Sequence, residues 1–269
     1  MIGMLINNNL QIAVKASLEA GKAIMEVYDS VIEVEYKDDK SPLTLADKKS
    51  NDIINTYLKP TDIPIISEEN KQIDFDERKK WETCWIVDPV DGTKEFIKRN
   101  GEFTVNIALV KNGIPQLGVI YVPALKTIYF SDVLKKIACK SVLDRHDTIL
   151  EEVLEKAEEL KPKSINPNPI QVVGSRSHMS QETLDYVDEL KKKGKEVEIV
   201  SKGSSLKFCL VAEGNADVYP RFAPTMEWDT AAGQAICNAV GISVISEESK
   251  QPLLYNKQNL LNPWFLVVK

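Results

Sequence analysis

The first constraints on this 269-residue sequence are absences. It has four cysteines, Cys84, Cys139, Cys209 and Cys237, widely spaced and with no C-x-x-C pair. That argues against a disulfide scaffold and for reduced thiols in a cytosolic protein. No stretch approaches the ~20 apolar residues that a membrane-spanning helix needs. Met1-Ile2-Gly3-Met4 leads into Asn7-Asn8-Asn9 without a basic start or a long apolar run, so no signal peptide is expected. Neither a P-loop nor a glycine-rich phosphate loop is present, which disfavours a Mg²⁺-dependent kinase. No cysteine, serine or histidine sits in a nucleophile motif, so chemistry through a covalent enzyme intermediate is disfavoured as well. Repeats and low-complexity tracts are missing. The net charge is −6, so no nucleic-acid-coating surface is expected, and an anionic ligand would have to be met by local cations.

What is present is an ordinary globular composition, 43% apolar and 28% charged, in a chain long enough to bury about three-quarters of its unfolded surface. The most informative stretch is Trp85-Ile86-Val87-Asp88-Pro89-Val90-Asp91-Gly92-Thr93. Apolar residues lead to Asp88, and proline then forbids helix there. This predicts a buried strand whose last carboxylate emerges at the sheet's carboxyl edge, where open α/β sheets place ligands. Asp91 adds a second carboxylate, Gly92 permits a tight turn, and residues 93–96 read as a first helical turn whose free N–H groups suit a phosphate. Two carboxylates so close repel unless a cation lies between them, and hard oxygen donors of this kind favour Mg²⁺. Asp-Pro and Asp-Gly are also common in surface turns, so the motif needs support from elsewhere.

Taken in order, residues 8–29 read as an amphipathic helix with an asparagine cap, 31–36 as a half-exposed strand, 37–42 as a polar loop and 45–58 as a helix stopped by Pro60. Asp47, in the first turn of that helix, serves either the helix dipole or catalysis. Residues 63–67 form a short strand ending in Glu68-Glu69, a second carboxylate at a strand end. Residues 103–110 and 114–122 pair as a hairpin through Asn112-Gly113, and 128–130 continue the antiparallel run. Residues 147–160 suggest a charged helix, with His146 exposed before it. Residues 161–169, rich in proline and asparagine, form a candidate linker. A second α/β rhythm follows. Strands are expected at 171–174, 196–200, 217–220, 242–245 and 264–268, with helices at 181–192, 204–212 and 229–240. Asp229 reads as an N-cap. Basic and hydroxyl residues gather in the second-half loops, at 175–178, at 203–207 and at Arg221.

Glu68-Glu69, Asp88-Pro89-Val90-Asp91-Gly92-Thr93 and Trp228-Asp229, in that order over nearly the whole chain, resemble the inositol monophosphatase superfamily of Mg²⁺-dependent, Li⁺-sensitive phosphatases. Residues 92–106, 175–178, 203–214 and 219–222 look like its CysQ-type branch of 3'(2'),5'-bisphosphate nucleotidases. That branch hydrolyses 3'-phosphoadenosine 5'-phosphate (PAP) to AMP and phosphate, clearing a by-product of sulfate assimilation.

The resemblance implies an α/β, layered αβαβα fold with a mainly antiparallel first sheet. Two domains are expected, a metal-binding one over 1–140 and a substrate-binding one over 141–269, with the active site between them. It implies two or three Mg²⁺ held by Glu68, Asp88, the Val90 carbonyl, Asp91 and Asp229. Asp47 and Thr93 would orient and deprotonate the attacking water. Gly92, Thr93, Ser175, His178, Gly203, Lys207 and Asp229 would contact the nucleotide bisphosphate, and Arg221 joins them here on its charge. Residues 131–170 depart from the family pattern. A cytoplasmic monomer or weak homodimer is expected, with loose attachment at the inner face of the cell membrane left open. An inositol or sugar phosphatase of the same superfamily, or a non-catalytic nucleotide-binding regulator, are the alternatives.

Overall fold

The computed structural model describes residues 6–30, 34–36, 42–162, 168–175 and 179–269. Helix α1 (Asn8–Tyr28) starts where expected: the Asn7 side chain accepts the Leu10 N–H at 2.9 Å, and Leu10, Val14, Leu18 and Ile24 form its inward stripe. Strands β1 (Val34–Tyr36) and β2 (Pro42–Thr44) pair antiparallel and lead into α2 (Leu45–Leu58), which a short turn containing Pro60 terminates. The loop expected at 37–42 lies mostly outside the described residues.

The first sheet then builds from β3 (Ile65–Ser67), β4 (Thr83–Asp91), β5 (Thr104–Lys111), β6 (Ile114–Val122), β7 (Thr127–Asp132), β8 (Ile137–Val142) and β9 (Glu158–Glu159), side by side in chain order. Helices α3 (Phe75–Arg78), α4 (Thr93–Ile97) and α5 (Leu150–Glu155) interrupt it. Every neighbouring pair is antiparallel except β3 and β4. The second sheet, ordered β11-β10-β12-β14-β13, contains β10 (Ile170–Ser175), β11 (Val197–Lys202), β12 (Val218–Arg221), β13 (Ser243–Ser246) and β14 (Phe265–Val268). Its helices are α6 (Gln181–Lys192), α7 (Leu206–Ala212) and α8 (Glu227–Ala239).

Strand periodicity of two explains the layering. On β4, β5 and β6, Trp85, Val87, Val105, Ile107, Val119 and Tyr121 face a core shared with α1 and α2. Ile86, Ala108, Val110 and Ile120 face the opposite way, into a core shared with α7, α8 and the second sheet. Because the first sheet is buried on both faces, its strands read as nearly continuous apolar runs. Val187 of α6 packs on Val172 and Val218, covering the outer face of the second sheet. The result is the five-layer αβαβα arrangement.

Differences from the sequence reading concentrate at 132–160. The helix expected over 147–160 is one and a half turns long, because only Leu150 and Val153 bury an apolar stripe. The chain then turns to pair Glu158 and Glu159 with β8, a strand the sequence reading missed, and the Leu160 amide bonds the Ala138 carbonyl at 2.8 Å. His146 is half-buried rather than exposed, its Nδ1 3.5 Å from the Tyr121 hydroxyl. Strand β4 also runs past Asp88, the residue expected to end it, to Asp91. Pro89 is tolerated because the β4–β5 register breaks between Asp88 and Asp91, so no ladder bond needs its missing N–H. The first sheet continues to Glu159 and the second begins at Ile170, so position 140 falls within β8.

Candidate active site

The parallel pairing of β3 and β4 sets Ser67 beside Val87, and the Glu68 amide continues that ladder to the Val87 carbonyl at 3.2 Å. Glu68 and Asp88 therefore leave neighbouring strands at one level. In a regular strand, residues three apart point to opposite faces. The irregularity between Asp88 and Asp91 removes that alternation. Asp88 and Asp91 consequently share one side with Asp229, which arrives from α8, and the carboxylate oxygens of these three lie within 4.8 Å of one another. Asp88 is almost fully buried and its Oδ1 accepts the Val90 N–H at 3.1 Å. Gly92 takes φ +92°, a conformation that side-chain-bearing residues rarely adopt, and turns the chain into α4.

Asp47 and Thr93 meet although 46 residues separate them: Thr93 Oγ1 donates to Asp47 Oδ1 at 3.1 Å and also lies 3.2 Å from the Val90 carbonyl. The other Asp47 oxygen accepts from the Thr44 amide at 2.7 Å and the Thr44 hydroxyl at 2.6 Å. Asp47 thus closes a capping box and faces Thr93 at once, so the two roles left open for it are compatible. Asp229 is the third residue of α8 rather than its N-cap, and its Oδ2 accepts the Met226 amide at 2.8 Å.

Electrostatics mark the cluster as strained. Burial pushes the Asp88 carboxyl well above its ordinary range, and the charges of Glu68, Asp91, Asp229 and Asp47 push it further. Asp91 is raised by burial too, partly offset by Lys207, Asn106 and the Ser205 amide. Asp229 is raised by burial and then by Asp91. Lys207 is buried, and that burial pulls its ammonium down to about 8 against the opposing charge of Asp91. Its Nζ lies 5.7 Å from the Tyr219 ring centre. Arg221 is half-buried, with Nε shielded from solvent and unbonded, and it lowers the carboxyls of both Asp91 and Asp229. The donor set, all hard oxygen and all held against its own repulsion, fits a divalent cation.

Comparison with known proteins agrees with this geometry. The inositol monophosphatase family matches the chain over residues 7–263. The chain belongs to that family. A 3'(2'),5'-bisphosphate nucleotidase CysQ from Salmonella typhimurium is 44% identical over 92% of this chain and 94% of its own length. One from Haemophilus influenzae is 35% identical over 98% and 92%. The crystal structure of CysQ from Bacteroides thetaiotaomicron, a bacterial member of the inositol monophosphatase family, superposes with a TM-score of 0.87 at 49% identity, covering 98% of both chains. An inositol monophosphatase from Thermotoga maritima, at 20% identity and a TM-score of 0.73, shares the fold. The family is metal-dependent, generally on Mg²⁺, and the acidic cluster lies where this chain can hold such an ion.

Of the other positions expected at the site, Ser175 ends β10, while its side chain and all of His178 lie outside the described residues. Gly203 is buried, but its N–H goes to Glu102 Oε2 at 2.8 Å. Sequence reasoning missed Glu102, Thr104 and Asn106 as site residues, and it placed Ser205 only among the hydroxyl groups of the second-half loops, not against Asp91. The Asp91 Oδ2 accepts the Ser205 amide at 2.6 Å and Asn106 Nδ2 at 3.3 Å. The available signal was three polar residues, spaced by two, entering an otherwise apolar strand.

Proposed function

We propose that the protein is a Mg²⁺-dependent 3'(2'),5'-bisphosphate nucleotidase that hydrolyses the 3'-phosphate of PAP to give AMP and phosphate. The observation carrying this reading is the convergence of Asp88 and Asp91 from the first sheet with Asp229 from α8, beside the buried cation Lys207. The CysQ relatives at 44% and 49% identity support the choice of substrate. In this reading, Glu68, Asp88, the Val90 carbonyl, Asp91 and Asp229 hold two or three Mg²⁺. When bound, these ions lower the pKa of a water and neutralise the charge that makes a phosphate monoester resist attack.

The chain's own groups do the rest. With the Asp47 orientation fixed by Thr44, Thr93 Oγ1 accepts the attacking water's proton as its own passes to Asp47 Oδ1. The water oxygen bonds to phosphorus, the bond to the 3'-oxygen breaks, and the leaving oxygen takes a proton from solvent. Lys207, Arg221, Ser175, His178, the Gly92 backbone and the loop that Gly203 seats on Glu102 position the nucleotide, and binding energy from those remote contacts raises the rate at the reacting phosphate. The reading carries with it a cytoplasmic monomer or weak homodimer that clears PAP. Among the described residues, no helix is long and apolar enough to cross a membrane.

Phosphate release measured across PAP, inositol 1-phosphate and fructose 1,6-bisphosphate tests it. PAP is expected to give the highest kcat/KM, and a preference for inositol 1-phosphate would overturn the nucleotidase assignment while leaving a phosphatase.

A further inference from the structure

Glu102, Thr104 and Asn106 occupy alternate positions leading into and along β5, and all three are buried. Each meets the second-half loop over residues 202–205. Glu102 Oε2 accepts the Gly203 N–H at 2.8 Å, and Oε1 lies 3.3 Å from the Lys202 ammonium. The Ser205 hydroxyl sits 2.8 Å from Thr104 Oγ1 and 2.8 Å from Asn106 Oδ1. The Ser205 amide reaches Asp91 Oδ2. One strand edge therefore ties a carboxylate of the acidic cluster to the loop that starts α7, the helix carrying Lys207.

Glu102 stands out within this seam. It is 7% exposed, and a buried carboxylate is costly unless its oxygens are bonded. A carbon added at Gly203 would lie 3.1 Å from both Glu102 Cβ and the Glu102 carbonyl oxygen. Gly203 thus allows the loop to seat on Glu102.

We propose that Glu102 is a specificity-determining positioning residue. By accepting the Gly203 N–H it fixes where the 202–205 loop sits over the acidic cluster, and so where Lys207 meets the second phosphate of the substrate. The inference rests on the bisphosphate nucleotidase reading. Glu102 acts through the loop and touches neither metal nor substrate. Its loss is expected to affect a substrate that uses Lys207 more than one that presents a single phosphate. The scale follows from the bond: a hydrogen bond to a charged group is worth about 1.5–3 kcal/mol, or roughly 10- to 100-fold in binding.

The test is steady-state kinetics with Mg²⁺ on full-length wild type, Glu102→Ala and Glu102→Gln, using PAP and inositol 1-phosphate. For Glu102→Ala, the KM for PAP is expected to rise at least ~10-fold, and the KM for inositol 1-phosphate less than ~3-fold. Glu102→Gln, whose amide oxygen still accepts the Gly203 N–H, is expected to restore most of the PAP KM. Should Glu102→Ala fail to fold, Glu102→Asp, which withdraws the acceptor by one methylene, is expected to give the same PAP-selective rise. Equal losses on both substrates, or a Gln variant as impaired as Ala, would overturn the proposal and leave the nucleotidase reading intact. A wild type that prefers inositol 1-phosphate sinks both, and that is visible before any variant is made.

Discussion

Replacing Asp88 by asparagine should move stability and activity in opposite directions. The substitution keeps the shape of the side chain and an oxygen to accept the Val90 N–H, so it isolates the charge. Oxygens of Asp88, Asp91 and Asp229 approach within 4.8 Å. At that separation a fully ionised pair repels by about 3.5 kcal/mol at an effective dielectric of 20. Part of this repulsion is already relieved in the metal-free protein, because burial and the neighbouring charges hold Asp88 and Asp229 protonated above the ordinary carboxylate range. The net gain from removing one charge is therefore smaller, about 1–2 kcal/mol, or roughly 2–4 °C in Tm for a chain of this size.

Turnover should fall by about 10³ or more, which corresponds to some 4 kcal/mol of lost transition-state stabilisation. The assay is a pair of thermal melts, with chelator and with Mg²⁺, beside phosphate release. Wild type should gain more from Mg²⁺ than Asp88→Asn does. A chelated variant that melts below wild type would mean that Asp88 is structural. Equal stabilisation of both proteins by Mg²⁺, or near-wild-type turnover, would remove Asp88 from the metal site.

The pH dependence of the metal-free protein follows from the same cluster. Asp88, Asp91 and Asp229 all titrate higher in the folded state, so their contribution is fully present below the unfolded carboxylate pKa of about 4 and is lost as pH rises through the folded values. Urea melts with chelator should show stability falling between about pH 5 and 8, a trend that saturating Mg²⁺ weakens; a trend unchanged by Mg²⁺ refutes the assignment. For Thr93, Ser should keep turnover within about tenfold of wild type while Ala loses about 10²–10⁴, the range of a general acid–base contribution; equal losses would mean the methyl group, not the hydroxyl, matters. Lys207→Ala should lower kcat/KM for PAP by at least ~10-fold more than for inositol 1-phosphate, because only PAP offers a second phosphate. A parallel loss on both substrates would assign Lys207 to the common phosphate or to the scaffold.

The parts of this protein legible in its sequence are those where local chemistry and tertiary structure agree. Asn7 before an apolar stripe, Asn112-Gly113 between two apolar runs and carboxylates at the ends of β3 and β4 each carry a physical cause that acts within a few residues. Residues 132–160 lacked that agreement. A charged stretch with a helical composition is divided between α5 and β9 because β8 offers an open edge to pair with, and nothing within the stretch announces β8.

The polar seam was hidden for a different reason. Glu102, Thr104 and Asn106 lie inside residues 92–106, the stretch that carries the branch resemblance, and they enter a strand whose other residues are mostly apolar. In a strand buried on both faces, apolar alternation carries little information, so the rare polar residues are the ones that report a face. Their partners lie about a hundred residues away, at Gly203 and Ser205, and no local pattern predicts that pairing. The same seam explains why the acidic cluster can depend on both halves. Asp91 is bonded by the Ser205 amide, and Asp229 enters from α8. A displacement of the second half would therefore change one carboxylate's position and another's hydrogen bonding together, before any ligand is considered.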